Sequence, residues 1–235
     1  MSQNIKKDLE KLADPKRAKV SQGFFKTGKG HYGEGDIFLG ITVPVQREVA
    51  NKYLGLSLSE IKELLTSKIH EHRLISLIIL TEKFSKADEK EKKEIFDFYL
   101  KNAKNVNNWD LVDSSADRII GRHFFENNQF KNNQTLTRLA KSENLWEKRI
   151  SIISTFYFIK KEEFSETFRI AEILLNDSHD LMHKAVGWML REIGKRNQDA
   201  EEQFLKKHYK TMPRTMLRYA IERFDEKKRK FYLGK

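Results

Sequence analysis

The sequence predicts an all-α fold, an α-solenoid of stacked helix pairs with one continuous concave face. Apolar residues recur at spacings of three and four along most of the chain, and only 3 of the 235 residues are proline, which favours helices nearly everywhere. Runs with the alternating pattern of strands are scarce. A weak repeat beyond residue 57 has the length of a helix pair. Because a repeat array counts as one domain, we expect a single domain over residues 1–235.

Six segments carry the helical spacing most clearly: DLEKLA at 8–13, IKELLTSKI at 61–69, LISLIILTEKF at 74–84, IFDFYLKNA at 95–103, RIAEILL at 169–175 and AVGWMLREI at 185–193. Prolines and capping residues separate such segments. The residues expected at helix boundaries are Asp14 and Pro15 after the first helix, Pro44 and Pro213 in first turns, and Ser57, Ser59 and Asp180 as N-caps.

Residues 28–40, with the sequence GKGHYGEGDIFLG, form the one long irregular stretch. Glycines at this density permit backbone conformations that helices and strands do not use. We expect an extended loop here, ending in a buried turn at Phe38 and Leu39.

Charge and cysteine content limit the possible functions. The chain has 45 Lys and Arg against 34 Asp and Glu, a formal net charge of +11, so an anionic partner is favoured, nucleic acid before membrane. The absence of cysteine removes disulfides, thiolate metal sites and cysteine nucleophiles. No apolar run of about 18 residues and no secretory signal is present, so we expect a cytoplasmic protein without a membrane partner.

The repeat aligns five residues, Arg73, Asp113, Arg149, Lys184 and Arg218, at steps of 40, 36, 35 and 34 residues. Equivalent residues of stacked repeats line up along one surface. Four of the five are cations, and Arg191 and Lys195 lie close to them in sequence. We therefore expect a concave basic groove with the charge needed to bind a phosphate backbone.

Asp113 is the exception among these cations, and tryptophans flank the aligned position. Trp109 precedes Asp113 by four residues, Trp188 follows Lys184 by four and Trp146 precedes Arg149 by three. A structural reading is a buried ion pair beside core tryptophans. A functional reading is a carboxylate that stabilises positive charge on a sugar as its glycosidic bond breaks, between indole walls that also accept a cationic base.

Three segments resemble the bacterial AlkD family of HEAT-like DNA glycosylases: NNWDLVD at 107–113, LWEKRI at 145–150 and KAVGWMLREIGKRN at 184–197. The entry segment FLGITVPVQR at 38–47 is also similar. The resemblance implies a HEAT-like repeat fold and excision of cationic alkylated bases such as 3-methyladenine and 7-methylguanine from double-stranded DNA, in base excision repair. It implies no metal and no cofactor.

By the same resemblance, Trp109, Asp113 and Trp188 match the family's catalytic aromatic and carboxylate residues, and Arg149 matches a DNA-contacting arginine. The family's lesion-side tyrosine near the N-terminus has Phe24 or Phe25 as its counterpart here. Further DNA contacts are expected from Lys184, Arg191, Lys195, Arg73 and Arg218.

Asp113 explains simple hydrolysis more directly than a Schiff base on Lys184 does, so we expect a monofunctional glycosylase that acts as a monomer. We expect no metal site, because no third ligand completes a recognised pattern with His179 and His183. Two alternatives stay open. The chain could be a non-catalytic HEAT-like protein that binds DNA by its shape, including branched DNA, or a scaffold for an acidic protein partner.

Overall fold

The computed structural model describes residues 2–234 and confirms the all-α class. Within that range there is no β-strand, and one isolated parallel bridge joins Ile37 to Ile69. None of the helices in that range is long and apolar enough to cross a membrane. The tertiary contacts divide the chain into two compact units, Met1–Ser115 and Ala116–Lys235, which we call the N-terminal and the C-terminal unit.

The N-terminal unit is built around one long buried helix. Its helices are α1 (Ser2–Glu10), α2 (Pro15–Phe24), α3 (Val43–Asn51), α4 (Leu58–Leu65), α5 (His70–Lys86), α6 (Glu89–Lys101) and α7 (Trp109–Asp113), with a 3-10 turn at Ala103–Asn105. Of the 17 residues of α5, 13 are buried, which is typical of a core helix enclosed on all sides. The helices α3, α4, α6 and α7 pack against it.

The glycine-rich stretch is fixed to the start of α5 by hydrogen bonds. The carboxylate of Glu71, 2% exposed, accepts bonds from the backbone N–H groups of Leu39, Gly40 and Ile41 at 2.9, 2.7 and 3.3 Å. Gly40 has φ +83°, and a Cβ there would lie 2.3 Å from the carbonyl oxygen of Asp14. As expected Phe38 is buried, whereas Leu39 is only half-buried.

The helix boundaries follow the expected capping residues in part. The Asp14 side chain caps α2, and Ser57 caps α4 in a reciprocal capping box. Three expectations were wrong. Pro213 is the N-cap of α15 (Arg214–Ala220) rather than a residue of its first turn. Ser59 lies inside α4, and the N-cap of α13 (Asp180–Gly194) is His179 rather than Asp180. The imidazole Nδ1 of His179 accepts the backbone N–H two residues on, at 3.1 Å.

The C-terminal unit begins with a π-helical turn at Asp117–Gly121. Its helices are α8 (Arg122–Glu126), α9 (Gln134–Ala140), α10 (Leu145–Ser154), α11 (Phe156–Ile159), α12 (Ser165–Leu174), α13 (Asp180–Gly194), α14 (Gln198–His208), α15 (Arg214–Ala220) and α16 (Glu226–Leu233), with a 3-10 turn at Ile221–Arg223. Helix α13 packs against α10 and α15, while α9 and α12 pack against α10, and α12 and α14 against α13. This stacking of helix pairs is the expected solenoid-like arrangement.

The sequence repeat corresponds to a repeated helix register. Asp113, Arg149, Lys184 and Arg218 each lie five residues after the N-cap of their helix, at Asn108, Asn144, His179 and Pro213 respectively. Arg73 lies four residues after the N-cap of α5, Ile69. A shift of one residue rotates a side chain by about 100° around a helix, so Arg73 has a different angular position on its own helix from that of the other four residues.

Candidate active site

Helix α7 carries both predicted catalytic residues of the N-terminal unit. Asn108 begins the helix, with its side-chain oxygen accepting the backbone N–H of Trp109 at 2.8 Å. Trp109 is the first and Asp113 the last residue of α7, so the two side chains lie one turn apart on one face. Both are half-buried, so part of each residue is accessible.

The end of α2 supplies the aromatic neighbours of Trp109. The ring of Phe25 stacks on the indole with centroids 5.2 Å apart and planes inclined by 13°. Phe24 meets the indole edge-on at 5.9 Å and remains 65% exposed. On its other side Phe25 stacks on Phe38 at 4.9 Å. The structure thus brings the predicted Phe24 and Phe25 to Trp109.

A buried network of charged groups supports this stack, and sequence reasoning missed it. The imidazole of His70, 1% exposed, lies between two carboxylates, with Nε2 2.7 Å from Asp110 and Nδ1 3.3 Å from Asp36. Asp36 also pairs with Arg73 at 2.7 Å and accepts a hydrogen bond from the Asn108 amide at 3.2 Å.

Two carboxylates and two cations make this network electrically neutral when His70 is protonated. Burial by itself lowers the pKa of His70, but the hydrogen bonds to Asp110 and Asp36 outweigh burial and raise that pKa above its ordinary value. Burial likewise raises the pKa of Asp36, and its bonds to His70 and its attraction to Arg73 reverse that effect and lower it. An imidazolium donates from both nitrogens, which matches a carboxylate on each side.

Arg73 differs from the expected phosphate contact. Its side chain is 4% exposed and its guanidinium pairs with Asp36, while Nη1 donates to the carbonyl oxygen of Ser67 at 2.9 Å. The side chain therefore lies in the core of the N-terminal unit, beside Asp36. Arg73 is therefore a structural partner of Asp36, and we remove it from the set of candidate DNA contacts.

The C-terminal unit holds the remaining tryptophans. Trp188 on α13 is half-buried, its ring lies 5.7 Å from that of Phe156, and its indole N–H donates to Glu192 at 3.2 Å. Trp146 is 7% exposed and belongs to the core. The hydrogen bond to Glu192 fixes the orientation of the Trp188 indole, and the residue is not fully buried, so part of it can contact a ligand.

The predicted cations of the C-terminal unit differ in exposure. Arg149 is 5% exposed, and its Nη1 donates to the carbonyl oxygen of Leu181 at 2.8 Å. The other four lie at or near the surface, and Arg218 is exposed. Three of them pair with a carboxylate: Lys184 with Asp180 at 2.8 Å, Lys195 with Glu192 at 2.5 Å, and Arg191 with Glu222.

The histidines considered as metal ligands have other contacts. His179 caps α13, and the ring Nε2 of His183 lies 2.5 Å from the carbonyl oxygen of Asp177. Among residues 2–234, no group of three or more His, Asp and Glu side chains is arranged to hold a metal ion.

Comparison with known proteins identifies the family. The family model described as "DNA alkylation repair enzyme" matches residues 5–224. A solved structure from Enterococcus faecalis, described as a predicted DNA alkylation repair enzyme, has a TM-score of 0.70 and 15% sequence identity over 92% of this chain and 98% of that one, which shows a shared fold. No curated protein matches the sequence. Because the family model spans both units and nearly the whole sequence, the chain belongs to the family of DNA alkylation repair enzymes.

Proposed function

We propose that this protein is a monofunctional DNA glycosylase that hydrolyses the N-glycosidic bond of cationic alkylated purines, such as 3-methyladenine and 7-methylguanine, in duplex DNA. The observation that carries the proposal is the pairing of Trp109 and Asp113 on one face of α7, both half-buried. In a DNA alkylation repair enzyme, a half-buried aspartate one turn from a half-buried tryptophan supplies the two groups that this reaction needs.

Asp113 is the proposed catalytic carboxylate. Cleavage of a glycosidic bond develops positive charge on the sugar, and a nearby carboxylate stabilises that charge and holds the attacking water. A positively charged purine is already a good leaving group, so moderate stabilisation is sufficient. Each 1.36 kcal/mol removed from the barrier raises the rate about tenfold.

Trp109 is the proposed aromatic contact to the lesion nucleotide, and Trp188 is a proposed aromatic contact to DNA in the C-terminal unit. The face of an indole attracts a cation, with a contribution of about 0.5 to 2 kcal/mol depending on burial. Phe24, 65% exposed and edge-on to Trp109, extends the apolar surface that the DNA would meet. These groups favour a charged alkylpurine over its neutral parent base.

Cations of the C-terminal unit are the proposed phosphate contacts. Three lysine and arginine side chains already have acidic neighbours, and DNA phosphates would compete with those carboxylates. The proposed contacts are Lys184, Arg191, Lys195 and Arg218. Arg149, expected as a DNA contact from the sequence, is left out for the same reason as Arg73, because it is 5% exposed and its Nη1 donates to the Leu181 carbonyl oxygen. Such contacts make affinity fall steeply with salt.

The experiment is base release from methylated duplex DNA by the purified protein, followed by chromatography of the free bases. We expect release of 7-methylguanine and 3-methyladenine, with the DNA strand intact until alkali cleaves the abasic site. Borohydride should trap no covalent complex, because hydrolysis through Asp113 uses no Schiff base. Tight duplex binding without base release would favour the alternative, a non-catalytic DNA-binding protein.

A further inference from the structure

His70 touches Trp109's surroundings by two independent routes, one polar and one aromatic. We propose that His70 is a positioning residue for the Trp109 indole, acting through Asp110 and through the ring stack of Phe25 and Phe38. The inference rests on the proposed function for its catalytic consequence. Its structural part, that the imidazole holds the indole, stands on contacts within the N-terminal unit alone.

The polar route runs through the start of α7. Asp110 directly follows Trp109, and its carboxylate lies 2.7 Å from Nε2 of His70. On the opposite side of the imidazole, Asp36 accepts the Asn108 amide at 3.2 Å, and Asn108 in turn caps the Trp109 backbone N–H. The residues before and after Trp109 are thus both tied to one buried network.

The aromatic route runs through two phenyl rings. The imidazole stacks on Phe38 with centroids 4.5 Å apart and planes inclined by 21°, and lies 5.0 Å from Phe25. Phe25 then stacks on the indole of Trp109. A change in the position or charge of His70 therefore reaches the indole through packing as well as through hydrogen bonds.

The charged groups that face His70 are Asp36 from the glycine-rich loop, Asp110 from α7 and Arg73 from its own helix. With both carboxylates ionised, the imidazolium donates to each of them. Because the two hydrogen bonds raise its pKa above the ordinary value of 6.5, the protonated form persists to a higher pH than in a free histidine. Deprotonation at higher pH removes one of the two donors, so one carboxylate loses its hydrogen bond and the indole is held less firmly.

Positioning matters for this reaction because a misplacement of about 1 Å at an aromatic wall can cost on the order of 100-fold in rate. Loss of the His70 contacts should therefore lower kcat more than it weakens DNA binding, since most duplex affinity comes from phosphate contacts. Replacing a residue with a purely structural role would lower stability without lowering kcat more than DNA affinity.

The test compares His70→Gln with His72→Gln. His72 is the matched control: it lies on the same helix, is 3% exposed, and its Nδ1 lies 3.0 Å from the Ser67 hydroxyl. Burial lowers the pKa of His72 to about 4, so it stays neutral. Kinetics use the otherwise unaltered chain. Fluorescence uses a chain with Trp146→Phe and Trp188→Phe, so that all tryptophan emission comes from Trp109.

We expect Trp109 emission to titrate with a midpoint above about pH 6.5, the ordinary value for histidine. His70→Gln should abolish that titration and lower kcat at least about tenfold, while duplex Kd stays within about twofold of the wild-type value. His72→Gln should leave the titration and kcat unchanged. If His70→Gln does not fold, Asp110→Asn decides instead, because removing one carboxylate should lower the midpoint. Emission and kcat that are the same in His70→Gln and His72→Gln would overturn the proposal.

The emission measurement needs no substrate. If the wild type released no alkylated base, the proposed function would fail while the Trp109 titration still reported on His70. If base release occurred without any His70-dependent titration, the positioning role would fail while the proposed function stood.

Discussion

The indole of Trp109 stacks on the phenyl ring of Phe25, with centroids 5.2 Å apart and planes inclined by 13°. Phe25 directly follows α2 and Trp109 begins α7, so a contact between distant parts of the sequence builds this side of the candidate site. The exposed Phe24 next to it shares the contact without being buried. Two adjacent phenylalanines thus have different physical roles.

Replacing Phe25 by alanine should lower stability by about 2 kcal/mol, less than the roughly 3 to 5 kcal/mol of a fully buried phenyl ring, because Phe25 is only half-buried. Phe24→Ala should change stability by no more than about 0.5 kcal/mol and instead weaken duplex binding. Urea unfolding and DNA titration of the two variants test this. Equal destabilisation by both would contradict the assignment.

Glu71→Gln should destabilise the protein by about 3 kcal/mol, because a buried carboxylate that accepts three backbone N–H groups becomes an amide with one acceptor oxygen. The glycine-rich loop should become more susceptible to proteolysis. Glu94→Gln, at an exposed position of α6, is the control and should leave the free energy of unfolding unchanged. Equal stability of the two variants would show that the loop is held otherwise.

Glu201 should make stability depend on pH. Burial raises its pKa to about 9 from an ordinary 4.5, so the folded state keeps the proton while the unfolded chain loses it. The folded state is therefore not penalised by Glu201 below about pH 4.5, and the free energy of unfolding falls as pH rises from there toward about 9. We therefore expect Glu201→Gln to raise Tm relative to wild type, by more at pH 8 than at pH 5. A Tm difference independent of pH would refute this.

Arg218→Ala should reduce the salt dependence of duplex binding. Arg218 is exposed on α15 at the same register as Lys184, and loss of one phosphate contact lowers the slope of log Kd against log salt by about 1. Lys93→Ala, which removes a lysine paired with Asp97 on α6, should leave the slope unchanged. The same slope in both variants would exclude Arg218 as a phosphate contact.

The helices and their repeat could be predicted from the sequence because both depend on spacing. The position five residues after an N-cap recurs at Asp113, Arg149, Lys184 and Arg218, and the alignment found it. The same alignment misplaced Arg73, because a shift of one residue in register is invisible in a weak repeat.

The charged network around His70 could not be predicted in the same way. Its members Asp36, His70 and Asp110 come from a loop and two helices. His70 and Asp110 are 40 residues apart, as Arg73 and Asp113 are, but the repeat does not include Asp36 and does not indicate that the side chains are in contact. His70 is the first residue of α5, and both His70 and His72 are buried. A His beside acidic and apolar positions at a helix start was the available signal, and it is common to many structural histidines.

The most direct test of the account is single-turnover release of 7-methylguanine from a duplex by Asp113→Asn, with Asp97→Asn on the exposed face of α6 as the control. We expect the rate with Asp113→Asn to fall at least about 100-fold, while duplex Kd stays the same or tightens because a negative charge is removed. Asp97→Asn should match the wild type. Release by Asp113→Asn at the wild-type rate would contradict the proposed catalytic role of Asp113.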